Sequence, residues 1–532
     1  MKAVYNDSSA AEKEAKSRYF FPENIMMENA ASALEREIDG FFCTANIFTR
    51  KSESDCPFCT KNVLILCGSG NNGGDGLALA RRIYGKYDVK VVLISAPKTD
   101  EAKLQQKMAQ AVGVEIMAFS QFEQIALSRQ NSNQTVTNPF IKPSFVPAVI
   151  VDCIFGTGFH GELPTKVKSL LEQINENPEY KSSYKIACDI PSALFFKADV
   201  TVTMGALKSI LFTDKAKDVT GKIKVADLGI SSSIFEQCST PDAFLIEESD
   251  VKLPFRTKKS AHKGTYGHTA VFAGEKSGAA ILAAQAATQF GSGLTTIIKS
   301  TNSNLEQFKI TPELMIADSI PKTTTAILLG PGLGIPDKKT LDTVKEWFKS
   351  NFSSTAASSK SPALVLDADM LTYQKIAEFL TELCNSQIKE SSLNAKNVRI
   401  ILTPHPKELA VLFSALGFNN YTAVQAAEHR FEIAKQITQK FPQLTLILKS
   451  ANTVIAAEGQ IFICDQGCQS LAKGGSGDVL AGMTASLLAQ GYSAKDAAIT
   501  AVYVHALASK NFSDGTGWNL TPLALIEQIK NT

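Results

Sequence analysis

The chain has 532 residues, which is too long for one hydrophobic core, so two large domains are expected. An apolar content of 44%, a charged content of 20% and a formal net charge of +2 are ordinary for a globular protein and give no basic footprint for nucleic acid. Neither a signal-like apolar run at the start nor a stretch of roughly 20 apolar residues that could span a membrane is present, which predicts a cytoplasmic protein.

We therefore expect small molecules as partners, no nucleic acid and no membrane, and a homo-oligomer of a size that the sequence does not give. The ten cysteines are spread along the chain, which suits a reducing compartment. Cys56-Pro-Phe-Cys59 is the spacing of redox pairs and zinc half-sites, but a thioredoxin-like pair follows a strand, whereas this pair precedes one. The placement favours a pair without redox or metal function.

Strand-like apolar runs alternate with helical patterns in the first half of the chain. The alternation predicts a parallel sheet covered by helices, a Rossmann-like three-layer α/β domain over residues 1–240. Two serine- and asparagine-rich stretches, 128–144 here and 350–361 in the second half, are predicted to be surface insertions. The predicted strands are 62–67, 89–94, 148–155 and 185–190, with a helix at 77–85.

The first of these strands is followed by CGSGNNGGDGLALARR, residues 67–82. Its glycines let the backbone approach a phosphate at the positive end of the next helix, although plain packing turns share this pattern. Asn71, Asn72 and Asp75 add polar groups that a packing turn does not need. We therefore predict a site for a nucleotide diphosphate at this turn.

Two later strands of this half also end in polar groups. VDCIFGTGFHGELP (151–164) carries Asp152, and CDIPSAL (188–194) carries Asp189 and Ser192. Because ligands bind at the carboxyl ends of parallel strands, one crevice is predicted there. Oxygen groups such as Asn72, Asp152 and Ser192 favour a hard cation over zinc.

The first half resembles the NAD(P)H-hydrate epimerase family over about residues 19–235, through IMMENAA, GNNGGDGLALAR, VDCIFGTG, DIPSAL, ADVTVTMGALKSIL and GKIKVADLGI. The resemblance implies potassium on Asn72, Asp152 and Ser192, and proton transfer by Asp189. Ala193 replaces the family's glycine, and the segment after Leu194 is shorter than the family's loop. The hydrate-binding residues implied in this half are Asn71, Asn72, Gly73, Gly74, Asp75, Gly156, Thr157, Gly158, Phe159, His160, Gly161, Glu162 and Asp189.

A polar segment around residues 238–260, with Pro241, Pro254 and Lys258-Lys259, is predicted to link the halves. The second half, residues 250–532, restarts the alternation with TAVFAG, an alanine-rich helix from Ala279 to Phe290, TAILLG, ALVLDA, RIILTP and LTLILK. A second α/β domain is predicted.

The sequence LAKGGSGDVLAGM, residues 471–483, is the clearest candidate for a catalytic segment in this half. The backbone N–H groups of Gly474, Gly475, Ser476 and Gly477 would converge at the positive end of the following helix, where phosphate binds. Asp478 beside them could take a proton from a hydroxyl group. Phosphoryl transfer is therefore predicted.

Other strand ends of the second half are ambiguous when taken singly. Asp367 and Asp369 suit a helix N-cap as well as a ligand role. His405, between two prolines, could be structural, but its fixed backbone favours substrate contact. LLGPGLG (328–334) could be a packing turn, and KSANTVI (449–455) could be a turn into a hairpin.

In their order, these segments resemble the ribokinase-like superfamily and, within it, the ADP- or ATP-dependent NAD(P)H-hydrate dehydratases, over about residues 253–525. Ser450 and Ser476 stand where that family usually has glycine and threonine. The hydrate-binding residues implied are Ala279, Gly332, Gly334, His405 and Asp478. The predicted nucleotide-binding residues are Lys449, Ser450, Ala451, Asn452, Thr453, Gly474, Gly475, Ser476 and Gly477.

The two resemblances together imply repair of hydrated NADH and NADPH. The first half would interconvert the R and S hydrates, and the second would phosphorylate the ring hydroxyl of the S epimer and release phosphate, with Asp478 as base and Mg²⁺ on the nucleotide. Two alternatives stay open at this point: a small-molecule kinase for a hydroxymethylpyrimidine or a sugar, and a nucleotide sensor with degraded sites. The choice between ADP and ATP also stays open.

Overall fold

The computed structural model describes residues 1–48, 61–124, 145–159, 161–354, 361–388, 399–512, 514 and 516–532. Cys56, Cys59, His160 and the whole of 128–144 lie outside these residues, as does part of 350–361. The predictions made for them are therefore not addressed by the structure.

The chain divides into two compact units. The first unit comprises Ala3–Asp242, and the second comprises Ala243–Thr532 together with Met1–Lys2. Each contains its own parallel strands and its own buried core, so each is described by itself. Within the described ranges, no helix is long and apolar enough to cross a bilayer.

The first unit is a three-layer α/β structure. Its seven-stranded sheet has the order β4-β3-β2-β5-β6-β7-β9, and every neighbouring pair in it is parallel. A short pair, β1 with β8, is also parallel. The strands are β1 Lys2–Tyr5, β2 Asn62–Cys67, β3 Asp88–Leu93, β4 Glu115–Ala118, β5 Val149–Cys153, β6 Tyr184–Cys188, β7 Val200–Met204, β8 Leu207–Lys208 and β9 Lys222–Ala226.

Helices cover both faces of this sheet because alternate strand residues are apolar on either side. Val63 and Ile65 pack in one core with Leu34 and Leu77, whereas Leu64 packs in the opposite core with residues of the helix after β5. The Rossmann-like α/β prediction is confirmed for this unit. The helices are α1 Ser9–Tyr19, α2 Glu23–Phe48, α3 Asn71–Ile83, α4 Asp100–Ala111, α5 Thr165–Glu176, α6 Pro178–Lys181, α7 Asp214–Lys217 and α8 Ser232–Glu236.

The strand order of the second unit is β13-β12-β11-β14-β15-β16-β17-β18-β19-β10. The strands from β13 to β17 are parallel, while β17, β18 and β19 form antiparallel pairs. The α/β prediction is confirmed here too. The strands are β10 Ala243–Leu245, β11 His268–Ala273, β12 Leu294–Lys299, β13 Met315–Ala317, β14 Ala326–Leu329, β15 Ala363–Leu366, β16 Arg399–Leu402, β17 Leu444–Leu448, β18 Thr453–Ala457 and β19 Gln460–Cys464.

The helices of the second unit contribute much of the buried core, and one of them begins within the sequence that was predicted to bind phosphate. They are α9 Ser277–Gln289, α10 Lys338–Ser354, α11 Ile376–Ile388, α12 Pro406–Ala415, α13 Ala423–Glu428, α14 Arg430–Lys440, α15 Ser476–Gln490, α16 Ala494–Asn511 and α17 Pro522–Ile529.

Two boundaries differ from the sequence prediction. Helix α3 begins at Asn71 rather than at residue 77, so Gly73, Gly74 and Asp75 belong to its first turns. The segment predicted as a linker contains strand β10, in which Phe244 is the register partner of Phe462 on β19. A pairing of this kind between residues far apart in the chain leaves no local signal.

Helices α9 and α15 cross at very close range in the second unit. A Cβ atom on Gly482 would lie 2.1 Å from the backbone oxygen of Ala283. We expect Gly482→Ala to lower the free energy of unfolding by about 1–3 kcal/mol, because the added methyl forces the two backbones apart. Thermal and urea unfolding of the full chain measures this change.

Gly40→Ala is the matched control for this substitution. Gly40 also lies inside a helix, α2, but an added Cβ there meets nothing within 4 Å. Alanine should therefore be neutral or stabilising by up to about 1 kcal/mol. If Gly482→Ala gained stability like the control, the close crossing would be wrong.

Candidate functional sites

The second unit gathers charged side chains around the start of α15. The helix begins at Ser476, with Gly475 as its N-cap at φ +94°, and Asp478 lies in its first turn. A Cβ on Gly475 would lie 2.5 Å from Pro522 Cγ, so this left-handed position requires glycine. The N–H of Ser476 donates to the carbonyl of Lys473 at 3.3 Å, so the next N–H groups of α15, those of Gly477 and Asp478, are the ones placed to form a cradle for an anion.

Lys449, which directly follows β17, brings an ammonium group to this cradle. Its Nζ donates to Asp367 Oδ1 at 2.7 Å and lies 3.9 Å from Glu408 Oε2. It also lies 3.4 Å from the place where a Cβ on Gly477 would be. Burial opposes its charge, but Asp367 and Glu408 outweigh burial and raise the pKa of Lys449.

Asp478 is the carboxylate nearest to the cradle by sequence, and its environment disfavours its ionised form. Burial and the charge of Asp367 raise its pKa to about 7, although Lys449 acts in the opposite direction. A carboxylate that titrates near neutral pH can accept a proton and release it again.

His405 is tied to this group through Glu408. Its Nδ1 accepts from the backbone N–H groups of Lys407 and Glu408, so it is the N-cap of α12. Its Nε2 lies 3.1 Å from Glu408 Oε1, and its side chain is 47% exposed. Burial alone would raise the pKa of Glu408, but the hydrogen bond from His405 and the charge of Lys449 hold it below the usual range.

The remaining residues predicted for this unit lie on neighbouring turns. Gly334 N donates to Asp369 Oδ2 at 2.8 Å, and the carbonyl of Gly332 accepts from Lys276 N at 2.9 Å. Ala279 lies in the first turn of α9. Ser450, Ala451 and Asn452 form the turn into β18, which begins at Thr453, so the predicted hairpin is present. Gly474 precedes the N-cap of α15.

In the first unit the strand order reverses between β2 and β5, where a ligand crevice is expected. Gly156, in the loop after β5, has no side chain between Asn72 and Asp189. A Cβ there would lie 3.2 Å from Asp189 Oδ2 and 3.6 Å from Asn72 Cβ. The structure thus brings together three predicted residues from the start of α3, the loop after β5 and the loop after β6.

Asn72 has an unusual environment, because both polar atoms of its amide are buried and have no hydrogen-bond partner among the described residues. Asp152 accepts from Ser192 N at 2.8 Å and from Ser192 Oγ at 2.7 Å. Burial raises the pKa of Asp152 to about 6. An unpartnered buried amide and these oxygen atoms fit a hard cation.

Asp189 is held in a left-handed conformation at φ +68°. Its Oδ1 accepts from Lys208 Nζ at 2.6 Å, from Met204 N at 3.1 Å and from Thr203 Oγ1 at 3.3 Å. The sequence prediction assigned no role to Lys208, although a lysine within the apolar run MGALKSILF is a signal of an unusual buried charge.

Asp75 is also buried, and Cys188 Sγ lies 3.8 Å from its Oδ2. Burial, followed by the charges of Asp189 and Glu12, raises its pKa well above the usual range, which favours the neutral acid. A Cβ on Gly73 would lie 2.0 Å from Gly68 O, and one on Gly74 would lie 2.6 Å from Met27 Cε. These two glycines therefore permit the close packing of α3.

The predicted residues that follow Gly156 lie in the same loop after β5. Phe159 stacks on Phe155, with ring centroids 4.1 Å apart. Thr157 and Gly158 precede it, Gly161 has φ +104°, and Glu162 follows, while Asn71 opens α3.

Ala193 keeps the backbone conformation that a glycine would adopt. It has φ +52° and ψ +25°, and Leu194 follows at φ +50°. The 3₁₀ turn Ser192–Leu194 still directs Ser192 Oγ to Asp152. The departure from the family's glycine therefore leaves this turn formed.

Comparisons with known proteins cover both units. A family described as NAD(P)H-hydrate dehydratase matches residues 269–531, and one described as YjeF-related protein N-terminus matches residues 23–210. The bifunctional NAD(P)H-hydrate repair enzyme of Helicobacter pylori is 38% identical over 546 aligned positions, which cover 100% of both chains. The enzyme of that name from Coxiella burnetii is 32% identical, over 86% of this chain and 87% of the relative.

Among solved structures, the ADP/ATP-dependent NAD(P)H-hydrate dehydratase of Bacillus subtilis, co-crystallised with ATP and Mg²⁺, is 25% identical. It covers 55% of this chain and 98% of its own chain, with a TM-score of 0.43.

Proposed function

Because the chain belongs to the family of bifunctional NAD(P)H-hydrate repair enzymes, we propose that its two units act in turn on the same damaged nucleotide. The chain is an NAD(P)H-hydrate epimerase and an ADP/ATP-dependent dehydratase. Membership confirms the two resemblances drawn from the motifs and sets aside the small-molecule kinase and the nucleotide sensor. We assign epimerisation to the first unit and dehydration of the S hydrate to the second.

One observation supports our mechanism for the second unit: Asp478 lies in the first turn of the helix whose N-terminus forms the anion cradle, and its carboxyl group interacts electrostatically with Lys449. Asp478 takes the proton of the ring hydroxyl, and the hydroxyl oxygen forms a bond to the terminal phosphorus of the nucleotide. The bond from that phosphorus to the bridging oxygen breaks, and the nucleotide leaves one phosphate shorter with the electron pair. The cradle amides and Lys449 stabilise the transferred group. The C–O bond then breaks, phosphate leaves with the electron pair, and loss of a ring proton restores the dihydropyridine.

Mg²⁺ would reach this site on the nucleotide phosphates, where it supplies positive charge. The charges fit such an ion, because Asp367, Glu408 and Asp478 act on the ammonium of Lys449 and Asp369 acts on Asp478, so carboxylates outnumber the ammonium at this site. The donor is ADP or ATP, and the assay below compares the two. The homo-oligomer and the cytoplasmic location stay predictions.

In the first unit, K⁺ would be held by Asn72, Asp152 and Ser192, and the unpartnered amide of Asn72 is the main support for this. The ion would supply positive charge at the edge of the crevice. Asp189 moves the proton during epimerisation, with its Oδ2 directed towards Gly156 and Asn72.

A product assay tests the function of the second unit. Purified protein is incubated with hydrated NADPH and either ADP or ATP, and free phosphate is measured together with the absorbance of the dihydronicotinamide. We expect the two to rise together. Accumulation of a phosphorylated hydrate without free phosphate would contradict dehydration and indicate a kinase.

The rate of dehydration should fall on the acidic side of neutrality. Asp478 has a pKa of about 7 and works as a base, so protonation removes its active form as the pH falls through that value. We expect kcat/KM for the hydrate to decrease about tenfold per pH unit well below the pKa, because one proton inactivates the site. Initial rates at fixed saturating nucleotide measure this dependence, and a flat profile over the same range would contradict the assignment.

A further inference from the structure

The first unit contains a lysine that is completely enclosed by protein. Lys208, on β8, is 1% exposed. Its Nζ donates to Asp189 Oδ1 at 2.6 Å, to the carbonyl of Met204 at 2.9 Å and to Thr203 Oγ1 at 3.1 Å. An ammonium group has three N–H donors, so these partners account for all of them.

The enclosure of Lys208 excludes direct contact with a substrate. Its strand β8 pairs with β1, where Tyr5 is its register partner, and Tyr5 is itself 1% exposed. A buried ammonium is costly unless it is paired, and here its charged partner is Asp189. The carboxylate within hydrogen-bonding distance of its Nζ is that of Asp189, so we expect this lysine to act through that carboxylate.

The two oxygen atoms of Asp189 have different surroundings. Oδ1 accepts from Lys208, Met204 N and Thr203, whereas Oδ2 is the atom next to Gly156, on the side of Asn72. Rotation of the carboxylate would break three hydrogen bonds at once. The bonds to Oδ1 thus determine which oxygen meets the crevice.

We propose that Lys208 is a positioning residue for epimerisation: it binds Oδ1 of Asp189, supplies the counter-charge, and leaves Oδ2 as the oxygen that exchanges a proton with the hydrate. The proposal rests on the epimerase function assigned to the first unit. It adds a residue that touches neither hydrate nor potassium.

The test compares Lys208→Met with the wild type in the full chain, measuring interconversion of the R and S hydrates without added nucleotide. We expect kcat to fall about 10- to 100-fold, a part of what a general base contributes, while KM for the hydrate changes less than about threefold. Dehydration of the S hydrate by the second unit should be unchanged.

Lys185→Met is the matched control, because Lys185 is another buried lysine of the first unit, 8% exposed, on β6. It should retain the wild-type kcat for epimerisation. Thermal unfolding of each variant corrects the rates for the folded fraction.

Lys208→Met leaves the buried charge of Asp189 without its counter-charge and could prevent folding, so the double variant Asp189→Asn/Lys208→Met provides the second measurement. Since both charges are then removed, we expect it to unfold at a higher temperature than Lys208→Met. If the lysine acts through Asp189, the double variant epimerises no more slowly than Asp189→Asn alone.

Three results would overturn the proposal. These are a wild-type kcat in folded Lys208→Met, a raised KM with unchanged kcat, and a further loss of rate when Lys208→Met is added to Asp189→Asn. A wild-type protein that interconverts the hydrates no faster than they do spontaneously would instead remove the epimerase function itself, which is a separate result.

Discussion

Asp478→Asn is expected to slow dehydration about 10²- to 10⁴-fold, the range that a general base contributes. Asparagine has nearly the same shape as aspartate but cannot take the proton from the ring hydroxyl. Nucleotide binding should persist, because the cradle amides and Lys449 are unchanged. Phosphate release measures the rate, and calorimetric titration with nucleotide measures the binding.

Asp496→Asn provides a closely matched control for this variant. Asp496 is the third residue of α16, as Asp478 is of α15, but it forms an ion pair with Lys252 at 2.9 Å. The Asp496→Asn variant should dehydrate the S hydrate at the wild-type rate. Retained dehydration in Asp478→Asn would show that another group takes the proton.

Asp189→Asn is expected to lower epimerisation about 10²- to 10⁴-fold, to or near the spontaneous rate, because the amide cannot accept a proton. Dehydration of the S hydrate should continue, since its residues belong to the second unit. A mixture of both epimers should then be repaired in two phases: a fast phase for the S hydrate and a slow phase limited by spontaneous interconversion. Chiral chromatography of the remaining hydrate follows both phases.

Asp88→Asn is the control for this experiment, because Asp88 is an exposed carboxylate at the start of β3 in the same unit. Its repair curve should match that of the wild type. A single fast phase in Asp189→Asn would mean that a different group carries the proton in epimerisation.

The sequence predicted the fold well where the signal is local. Buried parallel strands such as β2 and β15 are short apolar runs followed by polar groups, and the alternation with helices indicates their layers. Strand β10 was missed because a three-residue strand depends on its partner β19 rather than on its own composition. The start of α3 was misplaced because glycine is a poor helix former, whereas here glycine permits the close contact of the helix with Gly68.

The sites were predicted unevenly for a related reason. Motif order predicted roles for Asp478 and Asp189, because they directly follow recognisable glycine-rich or strand-end patterns. The ion pairs of the two sites join distant positions: Lys208 is 19 residues from Asp189, and Lys449 is 82 residues from Asp367. Only the folded sheet reveals such pairs, because hydrogen-bond geometry is not encoded in local spacing.

The close crossing at Gly482 bears on how the second unit receives its ligands. Asp478 lies one helical turn before Gly482 on α15, and Ala279 lies one turn before Ala283 on α9. The two helices that cross closely therefore also carry these two residues. Their separation is thus built into the scaffold before any ligand arrives, and little reorganisation free energy is needed at the moment of reaction. In the site that we propose, both residues contact the hydrate, so we expect the second unit to discriminate between substrates by shape, because the close crossing of the helices leaves little freedom to widen around a bulkier ring.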